Sequence, residues 1–374
     1  MNNRNKEIQK KIEKIPVVML GSFGHAGIDW VHSLLDNHKE ILIMPAFSFF
    51  RSLDRIEDDS NFDFINSNYK EITNKICDLF SLDKAYNLKR RKIFNSNKHK
   101  IDFRKNLYWY LQNSKEKNIT KKLFYGIHYS YCKIYNINLK SKKVIVSHEH
   151  MSWHSLKYLK IFKAKFLFIF RDPRAVLGGG ILRARNSTSD KIMNSLQFDY
   201  MLLDMFTAFK FYQKKIKCYS LLNEVMHSNL QREMMKLAKW LGIGYSKTML
   251  KQSFLGVKWN GESSYLAKDE LDKEPPNDYY LPSNVEKRWR SILSDKEILI
   301  IEVIFEKMMS CFNFKFDNKL SFLKRLKGYI YYFFTHQHQQ KYFFNKYLIL
   351  FRNFFRRFNI LISVKQNKKL FYFK

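Results

Sequence analysis

The chain has few cysteines, and these are far apart. Four cysteines occur among 374 residues, and no two of them form a C-x-x-C pair. This spacing argues against a structural zinc site and against a dense disulfide framework. Reduced thiols are the simplest interpretation, so we expect a cytoplasmic protein. The four are Cys77, Cys132, Cys218 and Cys311.

Long apolar runs are lacking as well. No stretch approaches the ~18 apolar residues that a membrane-spanning helix needs. The segment Met1–Lys14 is polar and charged and has no apolar core of the kind found in signal peptides. We therefore expect neither a spanning helix nor a secretory leader.

Acidic residues are scarce relative to basic ones. The chain has 34 Asp and Glu against 67 Lys and Arg, which gives a formal net charge of +33. A field of this sign favours polyanionic partners such as nucleotides, acidic glycans or anionic lipid headgroups. A coding bias toward Lys, Asn, Ile and Phe would explain the same excess equally well, so the charge by itself does not identify a partner.

Apolar residues, at 45% of the chain, are sufficient for a large core, and their spacing predicts a parallel sheet. Residues 16–20 (PVVML) are a short apolar run that ends at Gly21, as a buried strand would. Helical spacing follows from Ile28 to His38, and a second apolar run covers 41–44. This order of strand, glycine loop, helix and strand is typical of a βαβ unit.

The remaining sequence predicts one α/β domain with two additions. We expect a three-layer, P-loop-like domain with a central parallel sheet over residues 1–317. Residues 47–137 are charged, Asn-rich and compatible with helix, and we interpret them as a helical insertion. From 318 to 374 there are 13 Lys or Arg, no Asp or Glu, and 17 aromatic residues, which marks a basic helical tail.

Two strand ends are candidate ligand sites, because open parallel sheets bind ligands beyond the carboxyl ends of their strands. The first leads into Gly21–Gly27, where glycines and a following helix N-terminus favour an anion. A tight turn without a ligand explains these glycines too. The second is the buried run 166–170 (FLFIF), which leads into Arg171. There Asp172 is a good helix N-cap and Pro173 suits the first helical position.

Four landmarks in this chain resemble, in the same order, those of sulfotransferases that use 3′-phosphoadenosine-5′-phosphosulfate (PAPS). The similarity is to bacterial, carbohydrate-type members, and it covers residues 16 to about 314. The landmarks are the loop and helix Gly24–Trp30 (GHAGIDW) with Ser33–Ile41 (SLLDNHKEI), Phe170–Val176 (FRDPRAV), Trp240–Ile243 (WLGI) and Lys287–Arg290 (KRWR).

The resemblance implies a donor site and also shows where this chain departs from the family. The loop Gly24–Trp30 would hold the 5′-phosphosulfate end of PAPS, and Arg171 and Arg288, with Trp289 beside them, would hold the 3′-phosphate. This chain keeps Gly27 in the loop but lacks five polar side chains of the family. Where the family has Lys, Ser, Thr, Thr and a later Ser, this chain has, in the same order, His25, Ala26, Ile28, Asp29 and Gly179.

Sulfuryl transfer needs a base for the acceptor and positive charge near the transferring group, and it needs no metal. The family places a His or Glu after the third strand, where this chain has His148, Glu149 and His150. Since alternate residues of an extended chain share a face, we expect the two histidines on one side and Glu149 on the other. A protonated His25 would replace the family's first-loop Lys. A solvated polar strand end is the alternative to a catalytic role.

Several functions compete with PAPS-dependent transfer to a carbohydrate hydroxyl. The lost loop side chains favour a non-catalytic relative that binds a nucleotide or a sulfated ligand. A nucleoside triphosphatase is disfavoured, because Gly27 is followed by Ile28 and not by the Lys of G-x-x-x-x-G-K-[ST]. An NAD enzyme is disfavoured, because the glycine spacing is G-x-x-G-x-x-G and not G-x-G-x-x-G.

The basic tail contains an amphipathic pattern over residues 342–362. Apolar residues recur at helical spacing there, with Arg356 and Arg357 on the opposite side. Such a helix suits a membrane surface or a hydrophobic groove, and packing against the domain explains the pattern equally well. We expect no nucleic-acid binding, because the aromatic residues fall on one helical face and do not form a strand platform.

Overall fold

A computed structural model of the chain describes residues 2–22, 24–45, 48–57, 67–82, 93–149, 152, 155–185, 196–215, 217–259, 281–334 and 354–362. Its strands are β1 (Val17–Gly21), β2 (Ile41–Ile43), β3 (Val144–Glu149), β4 (Lys165–Phe170), β5 (Cys218–Leu222), β6 (Ser253–Phe254) and β7 (Val257–Lys258). Its α-helices are α1 (Asn2–Ile12), α2 (Ile28–Leu35), α3 (Phe49–Glu57), α4 (Tyr69–Leu82), α5 (Asn97–Asn113), α6 (Ile119–Ile134), α7 (Ser155–Ile161), α8 (Pro173–Arg185), α9 (Leu196–Gln213), α10 (Asn223–Leu241), α11 (Pro282–Lys287), α12 (Asp295–Ile304), α13 (Glu306–Cys311) and α14 (Phe322–Phe334).

The first five strands form one sheet in the order β2-β3-β1-β4-β5, and every neighbouring pair is parallel. Strand β1 is central, with Leu20 opposite His148 and Gly21 opposite Glu149 on β3. Because all five strands run the same way, their carboxyl ends lie at one edge. The predicted α/β class with a central parallel sheet is confirmed.

Helices cover both faces of this sheet because its strands are apolar on both sides. Along β1, Met19 packs into one core together with α5, α6, α9 and α12, while Leu20 packs into a second core with α2 and α10. The run 166–170 on β4 alternates between the two cores in the same way and is buried throughout. This two-sided burial explains why these strands are continuous apolar runs.

The described part of the connection between β2 and β3 contains the helices α3, α4, α5 and α6, short loop segments and no strand. Helices α5 and α6 approach closely at Gly126, where an added Cβ would lie 2.9 Å from side-chain atoms of Leu107 and Tyr110. The helices of this connection join the larger of the two cores.

The C-terminal helices pack on the domain. Gly328 of α14 lies against Val303 of α12, so closely that an added Cβ would be 2.6 Å from a Val303 methyl carbon. In the helical segment 354–362, Arg357 donates a hydrogen bond to the backbone oxygen of Tyr332 (2.6 Å) and is 1% exposed. Our prediction that Arg357 lies on the polar side of this helix is therefore wrong, because its guanidinium is satisfied inside the protein. Residues 342–353 of the predicted amphipathic segment lie outside the described residues.

Within the described ranges, none of the helices combines the length and the apolarity needed to cross a bilayer.

Candidate functional site

The two strand ends singled out in the sequence are in direct contact. Nη1 of Arg171, just beyond β4, donates to the backbone oxygen of His25, 2.9 Å away in the loop after β1. Ser22 at the start of this loop donates to the backbone oxygen of Ile169 (3.0 Å), and Asn223 after β5 donates to that of Ala26 (3.1 Å). Three adjacent strand ends therefore hold one loop in place.

The loop backbone has two residues in the left-handed region. His25 has φ 67° and Gly27 has φ 99°. Two observations require glycine at position 27. Its φ lies in the left-handed region, and an added Cβ would lie 2.4 Å from the side-chain nitrogen of Asn223. Left-handed residues that alternate with right-handed ones turn successive N–H groups toward one side, which is a backbone geometry that binds anions.

Gly24 differs from Gly27 in both respects. Its φ is not positive, and an added Cβ would meet no described atom within 4 Å. The packing and the backbone of the loop therefore allow a larger residue at this position. Close approach of a ligand is a remaining physical reason for glycine.

Helix α2 begins directly after this loop, with Gly27 as its N-cap residue. The positive end of the α2 dipole is directed toward the loop, because the loop precedes the helix N-terminus. Gly27 has no side chain that could cap the first N–H groups of the helix. Ile28 and Ala26 are buried, at 2% and 0% exposure, and belong to the two cores. Asp29, in the first turn, is partly exposed and places a carboxylate near the helix N-terminus.

Behind Arg171, the start of α8 follows the predicted capping geometry. The Asp172 carboxylate accepts a hydrogen bond from the backbone N–H of Arg174 at 2.8 Å, and Pro173 is the first residue of α8. Gly179 lies buried within this helix.

Glu224, at the start of α10, contacts the residue that follows Arg171, and the joined ends of β1, β4 and β5 with these residues are called the corner below. Its Oε1 accepts the backbone N–H of Asp172 at 3.0 Å, and its Oε2 has no described hydrogen-bond partner. Burial raises the pKa of Glu224 to about 7, although the nearby Arg171 charge acts in the opposite direction. The corner therefore contains a buried carboxyl that titrates near neutral pH.

A second cluster joins β3 to α2. Nδ1 of His148 lies 2.8 Å from Nδ1 of His32, so one proton lies between the two rings. Nε2 of His148 lies 3.9 Å from the Asp29 carboxylate. Both histidines are buried and Asp29 is partly exposed, which makes Asp29 the solvent-facing member of this cluster.

Glu149 lies on the opposite face of the sheet from His148. Its carboxylate accepts hydrogen bonds from Ser48 Oγ at 2.5 Å and from the backbone N–H of Phe50 at 3.0 Å. These contacts anchor the start of α3, and the Tyr158 hydroxyl of α7 also donates to the Glu149 carboxylate at 3.3 Å. His150 lies outside the described residues.

The Lys287–Arg290 segment packs on α8 through a buried ion network. Trp289 is 1% exposed, and its ring lies between the guanidinium groups of Arg174 (4.2 Å) and Arg290 (4.7 Å). The predicted contribution of Trp289 to the donor site stays a prediction, and its described contacts are with these two arginines. Arg288, one residue earlier, is partly buried.

The SLLDNHKEI segment anchors a neighbouring loop. Asp36 accepts hydrogen bonds from Ser253 Oγ (2.8 Å) and from the Gly256 backbone (2.9 Å). Both His38 Nε2 and the Glu40 carboxylate contact the backbone of Gly244, at 2.9 and 2.6 Å. These contacts explain why Asp36, His38 and Glu40 are polar, so no contact with an acceptor substrate is needed to explain them.

The sequence reasoning missed His32, Asn223 and Glu224. Asn223 and Glu224 directly follow β5, so the strand-end rule that selected Arg171 applies to them too. His32 follows Asp29 by three residues on α2, and helical spacing places the two on one face.

Comparisons with known proteins gave weak similarities. No family model and no curated protein matches the chain. Among solved structures, the sulfotransferase domain of the Synechococcus PCC 7002 olefin synthase has a TM-score of 0.41 at 12% identity and covers 80% of this chain and 95% of that one. The sulfotransferase domain from the curacin biosynthetic pathway has a TM-score of 0.46 at 9% identity, over 80% and 98%. Sulfotransferase STF9 from Mycobacterium avium has 0.41 at 12%, over 84% and 81%. At TM-scores below 0.5, these similarities do not identify the activity of this chain.

Proposed function

We propose that the chain binds PAPS at the joined ends of β1, β4 and β5 and transfers its sulfuryl group to an acceptor hydroxyl, with a carbohydrate as the acceptor class. The hydrogen bond from Arg171 to the backbone of His25 carries this proposal. It brings the cation of the Phe170–Val176 motif to the glycine loop of the Gly24–Trp30 motif, as a donor with a phosphate at each end would require.

The loop fits an anionic group through its backbone more than through its side chains. Left-handed His25 and Gly27, the uncrowded Gly24 and the start of α2 supply N–H donors and a positive dipole end. Within this loop, His25 is the titratable cation, and a bound phosphosulfate would raise its pKa. In this proposal the protonated His25 stabilises negative charge on the transferring group.

His148 is our choice of base among the three candidates. It lies on the α2 side of the sheet, whereas Glu149 contacts the start of α3 and Tyr158 of α7. In the proposed step, His148 Nε2 takes the proton of the acceptor hydroxyl while the acceptor oxygen bonds to sulfur and the S–O bond to the nucleotide phosphate breaks. The Asp29 carboxylate at 3.9 Å would stabilise the imidazolium.

A non-catalytic, nucleotide-binding protein is the second candidate, and Asp29 favours it. The carboxylate adds negative charge close to where a phosphosulfate would lie, and buried Ala26 and Ile28 offer no hydroxyl. Such a protein would retain the phosphate site without the groups that move a sulfuryl group.

Two measurements on the full chain separate these functions. Calorimetry with adenosine 3′,5′-bisphosphate tests the site, and we expect Arg171→Gln to weaken binding about 10- to 100-fold, because a charge-assisted hydrogen bond is lost. Arg232→Gln is the matched control, since it removes the same charge from an exposed side chain, and its partner Glu233 keeps the contact with Lys236. Equal affinity of the two variants would overturn the assignment of Arg171.

A transfer assay with radiolabelled PAPS and a panel of glycan acceptors tests the activity. Labelled glycan that disappears in His148→Asn supports the enzyme. Tight bisphosphate binding without transfer to any acceptor would reject the enzyme and favour the non-catalytic protein.

A further inference from the structure

Exposed apolar side chains are concentrated in the C-terminal helices. Within α14, five large apolar residues are between 46% and 76% exposed. The helical segment 354–362 adds Phe355 and Phe358, at 45% and 42%. In the rest of the described chain, six such residues are scattered over several elements. The five residues of the α14 apolar stripe are Phe322, Leu323, Leu326, Ile330 and Phe334.

The stripe is one continuous face of α14. At 100° per residue, its five members fall within about 120° of the helix circumference. Gly328 and Tyr332 point the other way and are buried against the domain. A helix packed on one side and apolar on the exposed side has a surface left for a second partner.

The charges beside the stripe are positive. Lys327 is exposed and lies about 20° beyond the edge of the stripe on the helical wheel, whereas exposed Lys324 lies about 80° beyond the same edge. Arg325, on the other side, forms an ion pair with Glu306 of α13 at 2.6 Å. From residue 318 to the C-terminus the chain has 13 basic and no acidic residues. A partner for this face must therefore be apolar at its centre and anionic at its edge.

We propose that the α14 apolar stripe docks this protein on an anionic phospholipid surface. The aromatic and aliphatic side chains enter the headgroup boundary, and Lys327 contacts a lipid phosphate. The sequence pattern predicted a membrane-facing segment at 342–362, of which 342–353 lie outside the described residues, and the exposed stripe of the described chain covers residues 322–334. This inference is independent of the proposed sulfuryl transfer.

Vesicle co-sedimentation of the full chain, without any donor or acceptor, tests the proposal. We expect binding to phosphatidylcholine vesicles that contain about a third of phosphatidylglycerol, and weak binding to phosphatidylcholine alone. The double variant Leu326→Glu with Ile330→Glu should lose at least about tenfold in partitioning, because two carboxylates replace the apolar contact. Lys327→Gln should lose about fivefold on the anionic vesicles, because one charge beside the stripe is removed.

The matched control is Met235→Glu with Val257→Glu, which alters two apolar residues that are 50% and 61% exposed elsewhere on the surface. It should bind vesicles as the unaltered chain does, and circular dichroism should show that all variants are folded. The proposal is overturned if the unaltered chain does not bind anionic vesicles, or if the Leu326 and Ile330 variant binds equally well. It is also overturned if sedimentation velocity shows a dimer that this variant dissociates, since the stripe would then bind a second copy.

Discussion

The guanidinium of Arg171 and the backbone oxygen of His25 are joined by a 2.9 Å hydrogen bond across 146 residues of sequence. This bond spans the gap between two parallel strands, β4 and β1, at their carboxyl ends. A positive charge is thereby held beside a loop in which His25 and Gly27 have left-handed backbone angles. Four predictions follow from the contacts around this corner.

Substitution by alanine should affect stability at Gly27 and ligand binding at Gly24. Gly27→Ala should lower the free energy of unfolding by more than about 1 kcal/mol, because φ 99° and the Asn223 contact both oppose a Cβ. Gly24→Ala should leave stability within about 0.5 kcal/mol and weaken binding of adenosine 3′,5′-bisphosphate. Urea denaturation and calorimetry measure the two effects. If Gly24→Ala binds the bisphosphate as tightly as the unaltered chain does, Gly24 has no role in binding the ligand.

The paired histidines should have separable roles. His148→Asn should reduce kcat about 100-fold or more, as expected for loss of a general base. His32→Asn should reduce kcat less and shift the pH–rate profile, because His32 positions the His148 ring through the Nδ1 contact. His38→Asn, which alters a histidine bonded to the Gly244 backbone, is the control for general loss of structure. A wild-type rate in His148→Asn would transfer the role of base to Glu149 or His150.

Glu224 should make the protein less stable as the pH rises. Its pKa is raised from 4.5 to about 7 by burial, so the folded state holds a proton that the unfolded state has released between these values. Stability from this group is therefore present below about pH 4.5 and lost as the pH rises through about 7.

Glu224→Gln should remove that loss, so that the variant gains on the unaltered chain between pH 5 and pH 8 by an amount on the order of 1–3 kcal/mol. Denaturation midpoints across this range measure the difference. Glu40→Gln is the control, because the Lys143 contact lowers the pKa of Glu40 and moves its titration below this range. A constant difference between Glu224→Gln and the unaltered chain would contradict the prediction.

The buried ion network should matter more than the exposed pairs. Arg174 is paired with Asp172 and Glu302, each at 2.7 Å, and all three are less than 10% exposed. Arg174→Met should destabilise by about 3–5 kcal/mol, since it leaves two buried carboxylates without their counterion. Arg232→Met removes an exposed guanidinium and leaves Glu233 paired with Lys236, so it should change stability by less than about 1 kcal/mol. Thermal or urea denaturation of the two variants compares these losses, and similar values would show that the network is effectively solvated.

The sequence predictions were more accurate for contacts between residues close in the sequence than for contacts between distant ones. The capping of α8 by Asp172 is a local contact, and it was predicted correctly. Arg357 was misplaced because helical periodicity separates polar from apolar residues and does not register that Tyr332, 25 residues earlier, provides an oxygen for a buried guanidinium. Trp289 was interpreted from its motif, and its position between two arginines depends on how α8 packs.

The sequence by itself determined that two strand ends, at Gly21 and Phe170, lead into a glycine loop and an arginine, because short apolar runs and turn residues are local signals. The tertiary structure alone decided that these ends meet, that Asn223 and Glu224 complete the corner, and that His148 faces His32 while Glu149 faces α3. The order of strands in a sheet brings together residues more than a hundred positions apart, and no periodicity along the chain encodes that order.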